Sequence, residues 1–209
     1  MIKLDKTIIV IDLDGTFVNV NTFHKWMKFV FFEALKKFHF ISVIQILKIV
    51  FLRYLKYIDH SEMKYSILKI SENITSEKQI ITFVRSLNTY VNHTILKTMK
   101  DELSITILAT AAPILYAQTI KEIYQFDYVI ATGNTDEIEW KENIREEKKT
   151  NLISLLEKYS LGNQISILYT DHHDDLPLMK FSDLTYLVNA SNETIKLTLD
   201  ANIKFKVEN

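Results

Sequence analysis

Four sets of polar residues stand out in this chain, three of them where apolar runs stop and one where a helical pattern opens. Asp12-Leu13-Asp14-Gly15-Thr16 follows TIIVI (7–11), and Thr110 follows ITILA (105–109). The pair Lys148-Lys149 opens a helical pattern, and Asp171-His172-His173-Asp174-Asp175 follows ISILYT (165–170). A carboxylate can attack an electrophile or carry a proton. Several carboxylates together supply the all-oxygen set that a hard divalent cation such as Mg²⁺ takes. A threonine hydroxyl and a lysine can hold an anion and offset charge that develops on it. Taken together, these residue types suit chemistry on an anionic group.

Such clusters need elements that bring them to one place. The β-branched run at 7–11 ends at Asp12 and predicts a buried parallel strand. Ile105–Ala109, Asp127–Ala131, Ile165–Tyr169 and Leu184–Val188 predict further strands. A helix is expected to open at Ala112-Pro113, where a proline is tolerated at the first helical position. A polar connection passes through Gly133. Another helix is expected over Lys148–Tyr159, with Leu152, Leu155 and Tyr159 on one face and Gly162 closing it. From Thr22 to Tyr57 the pattern is helical, and Ser42, Gln45, Lys48, Arg53 and Lys56 share one arc of the wheel. The simplest reading of that stretch is a buried helix showing its charged stripe to solvent. Ser61–Leu68 and Ser76–Leu87 read as further amphipathic helices, with Ser76 as an N-cap. Strand–helix alternation predicts an α/β fold with a parallel sheet, interrupted after its first strand by an all-helical unit over 22–95. Open parallel sheets bind ligands beyond the carboxyl ends of their strands, where all four clusters fall.

Composition sets the outer bounds. The 209 residues are 47% hydrophobic and 24% charged, enough for a packed core and against a disordered or collagenous chain. With no cysteine, thiol catalysis, iron–sulfur clusters and thiolate-ligated zinc are excluded. A net charge of −1 gives no global basic field to attract nucleic acid. The apolar run after Met1 is too short for a signal peptide, and none reaches the length of a spanning helix, so the expectation is a cytoplasmic protein.

The four clusters, in this order and strand context, resemble the four motifs of the haloacid-dehalogenase-like hydrolase superfamily over nearly the whole chain. DLDGT matches its first motif, Thr110 the second, a lysine at a helix start the third, and Asp171 with Asp175 the fourth. The strings VIAT (129–132), REEK (145–148) and YTDHHDDLPLM (169–179) are similar to patterns of the phosphoserine-phosphatase-like subfamily, which carries a helical cap between the first two motifs. The resemblance implies a Rossmann-like core over 1–17 and 96–209 and a cap over 18–95. It also implies a Mg²⁺-dependent phosphomonoesterase in which Asp12 is the nucleophile and Asp14 the acid and base. Dehalogenating relatives lack the second aspartate. The implied phosphate ligands are Thr110 and Lys148, with Lys149 as the alternative. The implied metal ligands are Asp12, the Asp14 carbonyl and Asp171, supported from behind by Asp175 or else Asp174.

Three departures from the family pattern stand out: Arg145 for a usual glycine, Thr170 for glycine or serine, and Asn21 for a glutamate that holds the substrate ammonium of phosphoserine phosphatases. A neutral amide at Asn21 offers no counter-charge. Paired His172 and His173 lack the second cluster that a zinc site would need and read as a surface loop. His24 and Trp26 could touch substrate or simply pack the cap. From Phe23 to Ile58 there are seven Lys/Arg and one Glu in an apolar background. Residues 22–56 resemble, loosely, the hydrophobic caps of bacterial phosphatidylglycerophosphatases. The partners to weigh are therefore a small phosphate ester or a phospholipid headgroup, with peripheral membrane contact through the cap. A phosphotransferase, or a silent phosphoester- or membrane-binding protein, is the alternative class.

Overall fold

The computed structural model describes residues 7–99, 103–133 and 140–208. The expectations for residues 1–6 and for the connection at 134–139 lie outside them. Strand β1 (Thr7–Ile11) sends alternate side chains to opposite faces, as strand geometry requires. Ile9 and Ile11 join one apolar cluster, while Ile8 and Val10 join the other. A strand buried on both faces explains why the run has no polar alternation.

The chain then leaves the sheet for a helical unit. Helices α1 (Thr22–Lys36), α2 (Phe40–Tyr54), α3 (His60–Glu72), α4 (Glu77–Ser86) and α5 (His93–Thr98) follow, with a 3₁₀ turn at Asn88–Tyr90. Both ends of the unit meet at Val18, which bridges to Asp14 on one side and Val91 on the other. Ser76 caps α4 as expected, with Gln79 Oε1 accepting from the Ser76 N–H at 2.9 Å. Trp26 is fully buried against Phe29, Phe83 and Tyr116, so packing accounts for it.

Two expectations for this unit are corrected. The helical pattern from Thr22 to Tyr57 is not one helix: it breaks at Lys37–His39, where Phe38 takes a left-handed φ of 57°. No glycine or proline marks that break. The second correction concerns α2, which does not bury its apolar arc: among its residues only Val43 and Ile46 are buried. Phe40, Ile44, Leu47 and Phe51 each stand more than half exposed.

The sheet resumes with β2 (Ser104–Pro113), α6 (Ile114–Tyr124), β3 (Tyr128–Thr132), α7 (Arg145–Lys158), β4 (Ile165–Thr170), α8 (Leu176–Met179), β5 (Ser182–Val188), α9 (Asn192–Asp200) and β6 (Phe205–Glu208). Among the described residues the six strands are all parallel, in the order β3-β2-β1-β4-β5-β6. This is the Rossmann order, and its switch point lies between β1 and β4, where the strand order reverses. Ile9 pairs with Thr106 on one side and Ile167 on the other, so the exits of β1, β2 and β4 share one rim.

Several boundaries also shift. Strand β2 runs on to Pro113 through an irregularity after Ala109, and Pro113 (φ −63°, ψ 137°) caps α6 rather than starting it. Helix α7 begins at Arg145, so Lys148 sits inside the first turn instead of opening it. Its buried face is Lys148, Leu152 and Leu156, while Tyr159 is exposed and forms the C-cap. The left-handed residue after that cap is Ser160 (φ 50°), with Gly162 two residues beyond.

Candidate active site

The strand exits at the switch point bring the predicted residues together. Asp12, Asp14, Thr110, Lys148, Asp171 and Asp175 all line one cavity of about 270 Å³, together with Asn21, Ala111, Ile144, His172 and Asp174. Asp12 continues β1, held by its N–H donating to the Tyr169 carbonyl at 2.9 Å. The chain then turns at Gly15, whose φ of +78° favours glycine. A Cβ at Gly15 would overlap the Asp171 carboxylate, so the turn presses directly on the first residue of the acidic cluster.

Lys148 ties this rim together. Its Nζ donates to Asp12 Oδ1 at 2.7 Å and to both Asp175 oxygens at 2.8 and 2.9 Å. All three residues are buried, so these are charge-assisted bonds in a poorly screened place. Burial alone would lower the lysine pKa, yet Asp12 and Asp175 outweigh it and hold the ammonium charged. Burial pushes Asp12 well above the usual carboxylate range, Lys148 opposes this, and Asp175 and Asp171 add to it. Burial, reinforced by Asp175, raises Asp171 to about 6. Lys149 lies elsewhere, its Nζ 5.9 Å from the centre of the Phe181 ring.

Asp14 is positioned by the helical unit. The Thr22 N–H, in the first turn of α1, donates to Asp14 Oδ1 at 2.7 Å. The Thr22 hydroxyl in turn meets the buried Tyr116 hydroxyl at 3.1 Å. Burial raises the Asp14 pKa, with the bond from Thr22 holding the rise back. Asn21 is the N-cap of α1, its Oδ1 accepting from His24 N at 2.8 Å. That bond gives it a structural role at the cavity edge, while His24 is exposed.

Thr110 is buried, and its hydroxyl oxygen accepts from the Ala112 N–H at 2.9 Å. Its carbonyl takes a 2.9 Å bond from Asn143 Nδ2, and the Asn143 N–H donates to Thr132 Oγ1 at 3.1 Å. These buried amide and hydroxyl groups lock the exits of β2 and β3 against α7. Asn143 has no sequence signal beyond its polarity, and only the fold shows its use. Lys64 of α3 was equally hidden among helix-surface residues. It is buried, donates to the Ala111 carbonyl at 3.1 Å and pairs with Glu142.

The departures from the family pattern acquire physical content. Thr170 Oγ1 donates to Asp175 Oδ2 at 2.7 Å, orienting the carboxylate that holds Lys148. Arg145 adopts a left-handed φ of 52°, the conformation for which a glycine is suited. Its Nε donates to Asp174 Oδ1 at 2.8 Å. Asp174 is thus engaged at the surface, whereas Asp175 is the buried partner of Lys148. His172, His173 and Asp174 offer ligand atoms within 4.8 Å of one another. His172 Nδ1, however, already accepts from the Asp174 N–H at 3.1 Å, and Arg145 occupies the Asp174 carboxylate.

The donor set fits a hard divalent cation. It is oxygen-only, it gathers several acids in one small cavity, and Gly15 has no Cβ to displace the Asp171 carboxylate from the turn after Asp14. Asp12, the Asp14 carbonyl and Asp171 would hold such an ion.

A Rossmann-ordered sheet whose switch point gathers these carboxylates around a buried lysine defines a doubly wound α/β core with an acidic site at its strand exits. The chain belongs to the haloacid dehalogenase-like hydrolase family, whose model matches residues 9–180. No curated protein matches it. Among solved structures, a protein of unknown function from Bordetella pertussis Tohama I is similar at a TM-score of 0.76 and 14% identity, over 96% of this chain and 97% of that one. A phosphoserine phosphatase solved as a phospho-aspartyl intermediate analogue gives 0.57 and 15%, over 98% and 94%. A substrate-bound phosphoserine phosphatase gives 0.55 and 15%, over 91% and 90%. At these identities the likeness establishes the fold.

Proposed function

We propose that this chain is a Mg²⁺-dependent phosphomonoesterase working through an aspartyl-phosphate, on a small phosphorylated metabolite or a lipid phosphate. The observation that carries the reading is Lys148 bridging Asp12 and Asp175 in the cavity that Asp14, Thr110 and Asp171 also line. The solved phospho-aspartyl analogue of a phosphoserine phosphatase on the same fold supports the choice of intermediate. In domain terms, residues 1–17 and 96–209 form the hydrolase core and 18–95 the cap.

In this reading an Asp12 carboxylate oxygen attacks phosphorus while the bond to the ester oxygen breaks. Asp14, whose burial favours the protonated form, gives its proton to the departing alkoxide. The resulting Asp14 carboxylate then takes a proton from the water that attacks the phosphoryl group, which frees Asp12 and releases phosphate. The Thr22 N–H fixes one Asp14 oxygen throughout, leaving the other to carry the proton. The Thr110 hydroxyl and the Lys148 ammonium hold phosphoryl oxygens, and Asp175 with Thr170 keeps Lys148 aimed. Bound at Asp12, Asp14 and Asp171, Mg²⁺ would neutralise the charge of carboxylates and phosphate brought together. Phosphoserine is disfavoured as substrate, because Asn21 carries no charge and spends its oxygen on capping α1.

The test is phosphate release with and without Mg²⁺ from an aryl phosphate, phosphoserine, sugar phosphates and phosphatidylglycerophosphate. The expected result is metal-dependent release that falls to background in Asp12→Asn. Release that survives the substitution, or none from any substrate, would overturn the reading.

A further inference from the structure

Helix α2 presents to solvent what an amphipathic helix normally hides. Phe40, Ile44, Leu47 and Phe51 are 58%, 66%, 54% and 59% exposed, and their spacing puts them on one face. Phe38 and Tyr57, at the two ends of the helix, are each 76% exposed. A contiguous apolar face of this kind marks a surface that is covered in use.

The charges around this face select its cover. From Ala34 to Ile58 the chain has Lys36, Lys37, Lys48, Arg53 and Lys56 and no Asp or Glu. Lys36 pairs with Glu33, and Lys37 is bonded to Gln79 and the Ile74 carbonyl. Lys48, Arg53 and Lys56 have no ion-pair partner among the described residues; Lys48 and Lys56 are exposed, and Arg53 is half-buried. A second copy docking face to face would set these cations against each other with no acid to receive them. An anionic lipid surface accepts both features, taking the apolar face below the headgroups and the lysines at their level. Spanning is excluded for this helix: 15 residues at about 1.5 Å each give about 22 Å, short of the roughly 30 Å hydrocarbon core.

Helix α2 is joined in sequence to the helix that reaches the cavity rim. It leads through residues 55–59 into α3, whose His60 ring lies 6.1 Å from that of Phe23 and whose Lys64 reaches the Ala111 carbonyl beside Thr110. A groove of about 450 Å³ lined by Ile58, Ser61, Glu62, Tyr65, Ser66 and Trp140 lies along the same end of the helical unit.

We propose that α2 is an interfacial docking helix that seats the protein on the surface of an anionic bilayer. The inference rests on α2 alone and stands whether or not the phosphatase reading does. Flotation of the full chain with vesicles of phosphatidylcholine, alone or mixed with phosphatidylglycerol, tests it. The expected result is binding to the anionic vesicles that weakens with added salt, with little binding to the neutral ones. Ile44→Asp/Phe51→Asp and Lys48→Glu/Lys56→Glu should each weaken it by about tenfold or more. Because all four positions are exposed, circular dichroism spectra and gel-filtration volumes should stay those of the wild type. No flotation on anionic vesicles at low salt would overturn the proposal, as would equal flotation of a folded α2 variant. Self-association abolished by Ile44→Asp/Phe51→Asp would overturn it in favour of a second copy. Vesicle binding by a chain that releases no phosphate would refute the catalytic reading and leave the docking surface standing.

Discussion

Arg145 holds a left-handed backbone at the start of α7, three residues before Lys148, and receives a surface ion pair with Asp174 in return. That conformation costs a side-chain-bearing residue about 1–2 kcal/mol relative to glycine, whereas an exposed ion pair contributes at most about 1 kcal/mol. Arg145→Ala keeps the strain and loses the pair, while Arg145→Gly loses the pair and the strain together. We therefore expect the glycine variant to be the more stable of the two by about 1 kcal/mol in urea unfolding. At this scale the grouping was legible: Asp12, Asp14, Thr110, Lys148, Asp171 and Asp175 line one cavity, as the order of their motifs implies. The ambiguity between Lys148 and Lys149 could not be settled by counting, since a helix sends neighbouring side chains about 100° apart and only packing selects one. Lys64 and Asn143 carry no local signal for a related reason, and Thr170 stands out in the sequence only as a departure from the family pattern. Their value lies in buried partners far along the chain or hidden behind a neighbour, and no local spacing encodes that.

Among the elements, strands were easier to read than helices. A strand buried on both faces announces itself by an unbroken apolar run, as TIIVI and ISILYT do, whereas β6 (FKVE) is short, half-polar and paired on one side among the described residues. The break between α1 and α2 carries no glycine or proline, because Phe38 itself takes the left-handed turn. The α2 pattern was legible as amphipathic, but which arc faces inward is decided by neighbours, and here the apolar arc faces out. Helix α3 illustrates a start signal that is both local and sufficient. Asp59 Oδ1 accepts from the Glu62 N–H at 2.8 Å, and Glu62 Oε2 accepts from the Asp59 N–H at 3.0 Å. Replacing Asp59 by alanine removes one side of this capping box and should lower stability by about 1 kcal/mol. Thermal unfolding followed by circular dichroism would register it as a downward shift of the midpoint.

Across the whole molecule, the buried acids make stability depend on pH in a direction opposite to that of surface carboxylates. Burial raises Asp171 from 3.8 to about 6 and also raises Asp12 and Asp14. In the unfolded chain these groups ionise near pH 4, so between there and about pH 6 the folded state binds more protons. For Asp171 this contribution to stability is complete below about pH 4 and is lost as pH rises through about 6, and Asp12 and Asp14 act in the same direction. Metal-stripped protein should show this loss in its melting temperature, and added Mg²⁺ should raise that temperature more at pH 7.5 than at pH 5, because only ionised carboxylates bind it.

The strand order has a further consequence, for the time at which this protein becomes itself. The central strand β1 is made first, yet its neighbours β2 and β4 begin at Ser104 and Ile165. During synthesis the helical unit emerges whole while β1 still lacks any sheet partner. Such long-range pairing makes for slow folding, since loop closure precedes its reward. Asp12 meets both Lys148 and Asp175 only once synthesis has passed residue 175. The cluster of Asp12, Lys148 and Asp175 is thus withheld from every nascent chain that stops short of residue 175.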